Sequence, residues 1–347
     1  MKSGKKGWVI PAAVICVLLA GSMIAMAKSK IANFNKDSLH RTGAGMKYWY
    51  DAGFKKMAGL EYEELDCKSC HVASCDKCHA EKKGKSARED VGICFKCHSR
   101  EATTFKMDEA TGALDVHRAK GMVCADCHIG DAHDDVHGND GGPFKTMRDP
   151  GAVQAKCTNC HEENQKVESH KIHGGKLDCA ACHIKSSVSC MNCHFDSFLE
   201  TGKRPGNFVS AKSWLILVNH EGKVTSGSAM SLVSGGKKFI SYQPYFTHSV
   251  QKQAKKCEDC HGNEAMKLIA DGKKVPMMTF VNGEVKQWSG VVPCSPDDLE
   301  WAFLDKKDGN WSLIDNDEKP VVQMVGYGEP LTKQQMEALG KTYQSGQ

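Results

Sequence analysis

Aromatic residues make up only 7% of this 347-residue chain, set against 33 glycines. So few large side chains leave a chain of this length short of ordinary core material, and something besides polypeptide must fill its interior. Blocks of like charge, low-complexity tracts and a collagen period are all missing, which excludes disordered and fibrous classes. No Ser/His/Asp set, phosphate-binding glycine loop or nucleotide fingerprint occurs in a convincing context. What the sequence does hold is 18 cysteines and 16 histidines. The cysteine density is below that of small disulfide-stapled scaffolds, and the spacing is too regular for a secreted disulfide framework.

Residues 1–27 read as a signal peptide: three lysines before Trp8, an uncharged run to Ala27, and Ala25-Met26-Ala27 as a small-x-small cleavage site. The same run is long enough to serve as an uncleaved membrane anchor, although Pro11, Gly21 and Ser22 weaken such a helix. Cys16 lacks the small residue that a lipoprotein site needs before its cysteine. Removing the leader lowers the net charge from +4 to +1, which argues against nucleic acid as a partner. Export to the periplasm or the cell surface places the remaining chain where c-type heme is attached.

The pattern Cys-x-x-Cys-His occurs at Cys67-Cys70-His71, Cys75-Cys78-His79, Cys94-Cys97-His98, Cys124-Cys127-His128 and Cys157-Cys160-His161. It recurs at Cys179-Cys182-His183, Cys190-Cys193-His194 and Cys257-Cys260-His261. Two thiols one helical turn apart reach the two vinyl groups of a porphyrin, and the adjacent histidine then points a ring nitrogen at the iron. A zinc knuckle or a redox dithiol explains one such motif. It does not explain eight, since zinc needs no histidine directly after every second cysteine. The expectation is eight covalently bound hemes, with the motif histidines as proximal iron ligands. Only Cys16 and Cys294 stand outside the motifs, and Cys294 reads as a partly buried free thiol.

A low-spin heme needs a second axial ligand, and the histidines outside the motifs are His40, His117, His133, His137, His170, His173, His220 and His248. These are the distal candidates. His133 and His137, and likewise His170 and His173, have helical spacing, and crowding assigns the members of each pair to different irons. His220 is the weakest, because Leu215 to Val224 reads as a hairpin with His220 in its turn. If His220 is no ligand, one iron lacks a histidine. His40, far from any motif, is the best candidate for donation to a neighbouring subunit.

First cysteines of successive motifs are 8, 19, 30, 33, 22, 11 and 67 residues apart, so the chain is no simple repeat array. The expected fold is a multiheme cytochrome c: irregular chain and short helices wrapped around eight hemes, with β-hairpin segments after the seventh heme and in the C-terminal region. Residues 28–207 form the domain of seven hemes, 208–262 a β-leaning connection with the eighth, and 263–347 a heme-free hairpin tail. Within these, short strands are expected at Ser213 to Val218, Lys223 to Ser226 and Lys238 to Tyr242. Asn282-Gly283 and Asp308-Gly309 mark hairpin turns, and Thr332 with Gln335 caps a final helix. The acidic loop Asp131, Asp134, Asp135, Asp140 offers oxygen ligands for calcium, but its spacing is not that of an EF-hand, and a solvated loop is the plainer reading.

The stretches Ala44 to Tyr50, Gly121-Met122-Val123-Cys124-Ala125-Asp126-Cys127-His128, Met147 to Ala152 and Cys190-Met191-Asn192-Cys193-His194-Phe195-Asp196 resemble exported octaheme cytochromes c of metal- and sulfur-respiring bacteria. These are grouped with the octaheme tetrathionate reductase-like cytochromes, and the resemblance runs from about residue 38 to the end. It implies reduction of sulfur or nitrogen oxyanions at a heme whose motif ends in lysine. Here Cys75-Asp76-Lys77-Cys78-His79 ends in histidine, as do the other seven motifs. The sequence therefore favours a non-enzymatic electron carrier over its alternative, a periplasmic reductase of tetrathionate, sulfite or nitrite at one open heme. Expected partners are other cytochromes or a membrane quinol-oxidising complex, with a homopolymer as a further option. Two propionates per heme make the holoprotein more acidic than its chain, which favours a basic redox partner.

Overall fold

The computed structural model describes residues 38–65, 78, 90–128, 144–163, 165–196, 209–307 and 310–343. The leader, the motif at Cys67, all of the motif at Cys75 except Cys78, His133, His137, the acidic loop and the turn at Asp308 lie outside them, as does the side chain of His194. Among the described residues, no helix is long and apolar enough to cross a membrane.

Thirteen strands are described: β1 (Ser187–Met191), β2 (Cys193–His194), β3 (Val209–His220), β4 (Lys223–Ser234), β5 (Lys237–Pro244), β6 (Val275–Val281), β7 (Glu284–Gln287), β8 (Gly290–Pro293), β9 (Leu299–Trp301), β10 (Leu304–Lys307), β11 (Asn310–Leu313), β12 (Val321–Met324) and β13 (Gly328–Glu329). The main sheet has the order β1-β3-β4-β5-β12, with β8 and β13 also pairing with β3 and β2 with β4. β3 and β4 are joined at Glu221-Gly222, both at positive φ, as a twisted two-residue hairpin requires. The Asn282-Gly283 turn joins β6 and β7 in the same way.

β3 and β4 are each 12 residues long, well beyond the short strands expected. The reason lies in small polar residues that carry no apolar signal. Ser226, Ser228 and Ser231 on β4 are all buried, and the strand is covered on both faces. Their hydroxyls are satisfied inside: Ser226 Oγ donates to the Tyr245 carbonyl at 2.8 Å, and Ser231 Oγ accepts from the Asn192 amide at 2.7 Å. At Gly227, β4 faces Ile216 of β3 and Pro244 of β5, and a Cβ there would lie 2.2 Å from Val218 Cγ2. Only glycine lets the strands approach this closely.

An apolar core exists here that sequence composition does not suggest. Met191, Trp214, Ile216, Val218, Ile240, Tyr242, Met277, Met278 and Val292 form one cluster under the sheet. Full burial of each such side chain contributes about 1.5–3 kcal/mol. Trp301 Nε1 donates to the Tyr242 hydroxyl at 2.7 Å, so these two aromatic residues satisfy each other's polar tips. A second cluster joins Ala180, Ala181 and Ile184 to Leu215, Leu217, Met266, Leu331 and Leu339. A third packs the N-terminal helical stretch, through Tyr50, Phe54 and Met57, against Phe195 and Phe239.

The motif-bearing segments lean on this sheet. The helix Ser99–Ala110 is pinned by Arg100, whose Nε donates to the Val188 carbonyl and Nη2 to Ser228 Oγ, both at 2.5 Å. The Arg100 guanidinium also lies 3.8 Å from the ring centre of Tyr245. Cys190 and Cys193 are themselves strand residues, on β1 and β2.

Candidate metal centres

In the motifs at Cys94, Cys124 and Cys157 the chain folds into one tight turn, in which the histidine amide donates to the carbonyl of the first cysteine at 2.8 to 3.0 Å. The motifs at Cys179 and Cys257 form the short helices Cys179–His183 and Cys257–Cys260. A turn of this kind brings the two cysteines and the histidine of a motif within one helical turn, the spacing needed for two bonds to a porphyrin edge and one to its metal.

Each motif histidine whose side chain is described faces a histidine from outside the motifs. Ring centres are 6.0 Å apart for His40–His98, 6.1 Å for His128–His248, 5.9 Å for His117–His161, 6.4 Å for His170–His183 and 6.1 Å for His173–His261. An iron bonded to one nitrogen of each ring, at about 2 Å per bond, separates ring centres by roughly 6 Å. The donor sets therefore fit a six-coordinate heme iron. In four pairs the ring planes cross at 58° to 72°, and in His173–His261 they are 22° apart.

Several rings are fixed by their other nitrogen. His183 Nδ1 donates to the Gln251 carbonyl at 3.0 Å, His173 Nδ1 to the Ser169 carbonyl at 2.8 Å, and His261 Nδ1 to the Ala338 carbonyl at 2.9 Å. Each bond leaves Nε2 as the metal-facing atom and makes it a better donor. Asp115 serves two pairs at once. Its Oδ1 caps the helix Val116–Ala119 by accepting from the His117 and Arg118 amides, and its Oδ2 accepts from the Val250 amide at 2.7 Å, two residues from His248. Burial holds His248 and His261 below the ordinary histidine range.

The cysteines form a file. Cys94 and Cys124 are hydrogen-bonded to each other, as are Cys157 and Cys179, and in each pair one thiol is pushed up and the other down. Cys78 lies within electrostatic reach of Cys94, Cys127 of Cys160, and Cys182 of Cys257 and Cys260. Cysteines of successive motifs thus neighbour one another, in the order Cys75, Cys94, Cys124, Cys157, Cys179, Cys257 when motifs are named by their first cysteine, with Cys78 the described member of the first.

His170 and His173 do face different motif histidines. His40 stands against His98 of its own chain, as the other distal candidates that are described and paired stand against theirs. His220 ends β3 opposite Gly328 and Lys223 and faces no motif histidine among the described residues. Its Nε2 is buried without a hydrogen-bond partner, and burial, with Arg148 nearby, keeps the ring below the ordinary histidine range. Cys294 is fully buried in the main core, deeper than the loop thiol expected, and burial pushes it up to about 12. Sequence reasoning missed Asp115, whose signal is an acidic cap two residues before a histidine, and the Ala338 and Gln251 carbonyls, which leave no signal at all.

No family model matches the chain, and no solved structure does. A stretch of 171 positions is 23% identical to the dissimilatory sulfite reductase MccA of Wolinella succinogenes. That stretch covers 37% of this chain and 23% of the relative, so the chain spans about a quarter of the length of the curated protein it matches.

Proposed function

We propose that this chain is an exported c-type cytochrome with eight hemes that passes electrons between redox partners, without itself turning over a substrate. The observation that carries this reading is the pairing of five motif histidines with five others at ring separations of 5.9 to 6.4 Å. Heme bound at these sites would supply one-electron redox chemistry. The chain supplies the rest. At the five described pairs its histidines would hold the iron from both sides and leave no position for substrate, and the Ser169, Gln251 and Ala338 carbonyls fix three of the rings. Cysteines of successive motifs neighbour one another from the Cys75 motif to the Cys257 motif, which would give electrons a path between the two ends.

A second reading, reduction of a sulfur or nitrogen oxyanion, is favoured by the similarity to a sulfite reductase and by the position of His220. Heme content and the ferric absorption and paramagnetic resonance spectra separate the two. Eight hemes per chain, all low-spin and unaltered by sulfite, nitrite or tetrathionate, support the carrier, and His220→Ala then leaves the spectra unchanged. A high-spin iron in the wild type that shifts with one of these anions overturns it in favour of the reductase.

A further inference from the structure

The His173–His261 pair differs from the other four in the angle between its rings, 22° against 58° to 72°. The two rings are held by different parts of the chain. His173 is tied to its own helix by the Ser169 carbonyl, whereas the carbonyl that holds His261 belongs to Ala338, 77 residues further along, in the last turn of the helix Lys333–Gly340. The next residue is tied as well, since the Gly262 amide donates to the Leu339 carbonyl at 2.7 Å. The Tyr343 ring then meets His261 edge to face, with centres 4.9 Å apart at 81°.

Two features show that this contact is built in. Gly262 has φ 55°, and a Cβ there would lie 2.5 Å from Thr342 Cγ2, so a side chain would push the C-terminal segment off the ring. The helix itself is firmly seated. Thr332 and Gln335 form a reciprocal capping box at its start, and Leu339 is buried in the cluster that holds Met266 and Leu331.

We propose that the C-terminal helix is the positioning element of the last iron site: the Ala338 carbonyl and Tyr343 fix the plane of His261 nearly parallel to that of His173. This rests on the reading that the paired histidines hold heme iron. Near-parallel axial rings split the iron orbitals in the ring plane and give a rhombic low-spin ferric signal. Crossed rings, as at the other four sites, give strongly axial signals. The carbonyl also makes the imidazole more electron-rich, which favours ferric iron and lowers the potential of this site.

The test uses the full holoprotein, Gly262→Ala, a chain truncated after Thr332, and Ala338→Gly, which keeps the carbonyl. Heme content, paramagnetic resonance and a potentiometric titration are measured on each. The expected result is a rhombic signal in the wild type and in Ala338→Gly of which one iron's worth comes from the His173–His261 site. Gly262→Ala and the truncated chain lose that share at unchanged heme content, with one transition moved to higher potential. A wild type without the rhombic component, or rhombic intensity undiminished in both variants, overturns the proposal while leaving the carrier reading intact. A wild-type preparation without covalent heme overturns the carrier reading and this proposal together.

Discussion

Residues 90–163 and residues 209–340 bury their chains by opposite means. In the first, the buried apolar residues among those described are two alanines, Ala125 and Ala152, while Cys97, Cys127, Cys157 and Cys160 stand exposed. In the second, Trp214, Ile216, Val218, Ile240, Tyr242 and Met277 close a core beside which the buried Ser226 and Ser231 hydroxyls are hydrogen-bonded. One region folds by its own side chains. The other has helical turns and paired histidines with almost no buried apolar side chain among the described residues, as the proposed burial of heme there would require.

The largest effect expected from this contrast is in a chain made without heme attachment. Limited proteolysis should cut rapidly within residues 90–163 and leave a resistant core from residues 209–340. Even digestion of both would break the comparison. Next in size is Asp115→Ala, which removes a helix cap, about 1 kcal/mol, and a charged bond to the Val250 amide worth about 1.5–3 kcal/mol. It should disturb two heme signals together, those of His117–His161 and His128–His248, where an effect on only one would deny that Asp115 couples them. Within the self-sufficient region, Gly227→Val forces a Cβ onto Val218 and should cost about 1–3 kcal/mol in thermal or denaturant unfolding, without changing the heme spectrum.

The smallest effect is a pH dependence. Burial keeps His220 below its ordinary value of 6.5 in the folded chain, with Arg148 adding to the shift. The unfolded chain therefore binds the proton more readily. The resulting stability is fully present above pH 6.5 and is lost as pH falls below it towards the folded value. His220→Gln should flatten the stability profile of the β region in that window, and an unaltered profile would show the ring to be solvated.

The same contrast explains what could be read in the sequence. The eight attachment motifs are legible because covalent chemistry demands fixed spacing, and the turns at Asn282-Gly283 and the cap at Thr332 because local geometry demands particular residues. The pairing of His128 with His248, or of His40 with His98, is not legible, because the partner arrives from a remote segment whose position depends on the sheet. The strand expected from Lys223 stops at Ser226, and the rest of β4 was hidden because Ser228 and Ser231 carry no apolar signal and prove to be interior residues.

Cys190 and Cys193 sit on β1 and β2, paired with β3 and β4 through Ser210 and Leu232. On the proposed reading heme is attached after export, so Cys190 and Cys193, half-buried in the finished fold, would have to react before β1 and β2 settle against β3 and β4. Cys97, Cys127, Cys157 and Cys160 stand exposed in the folded chain and would stay open to their cofactor without that deadline.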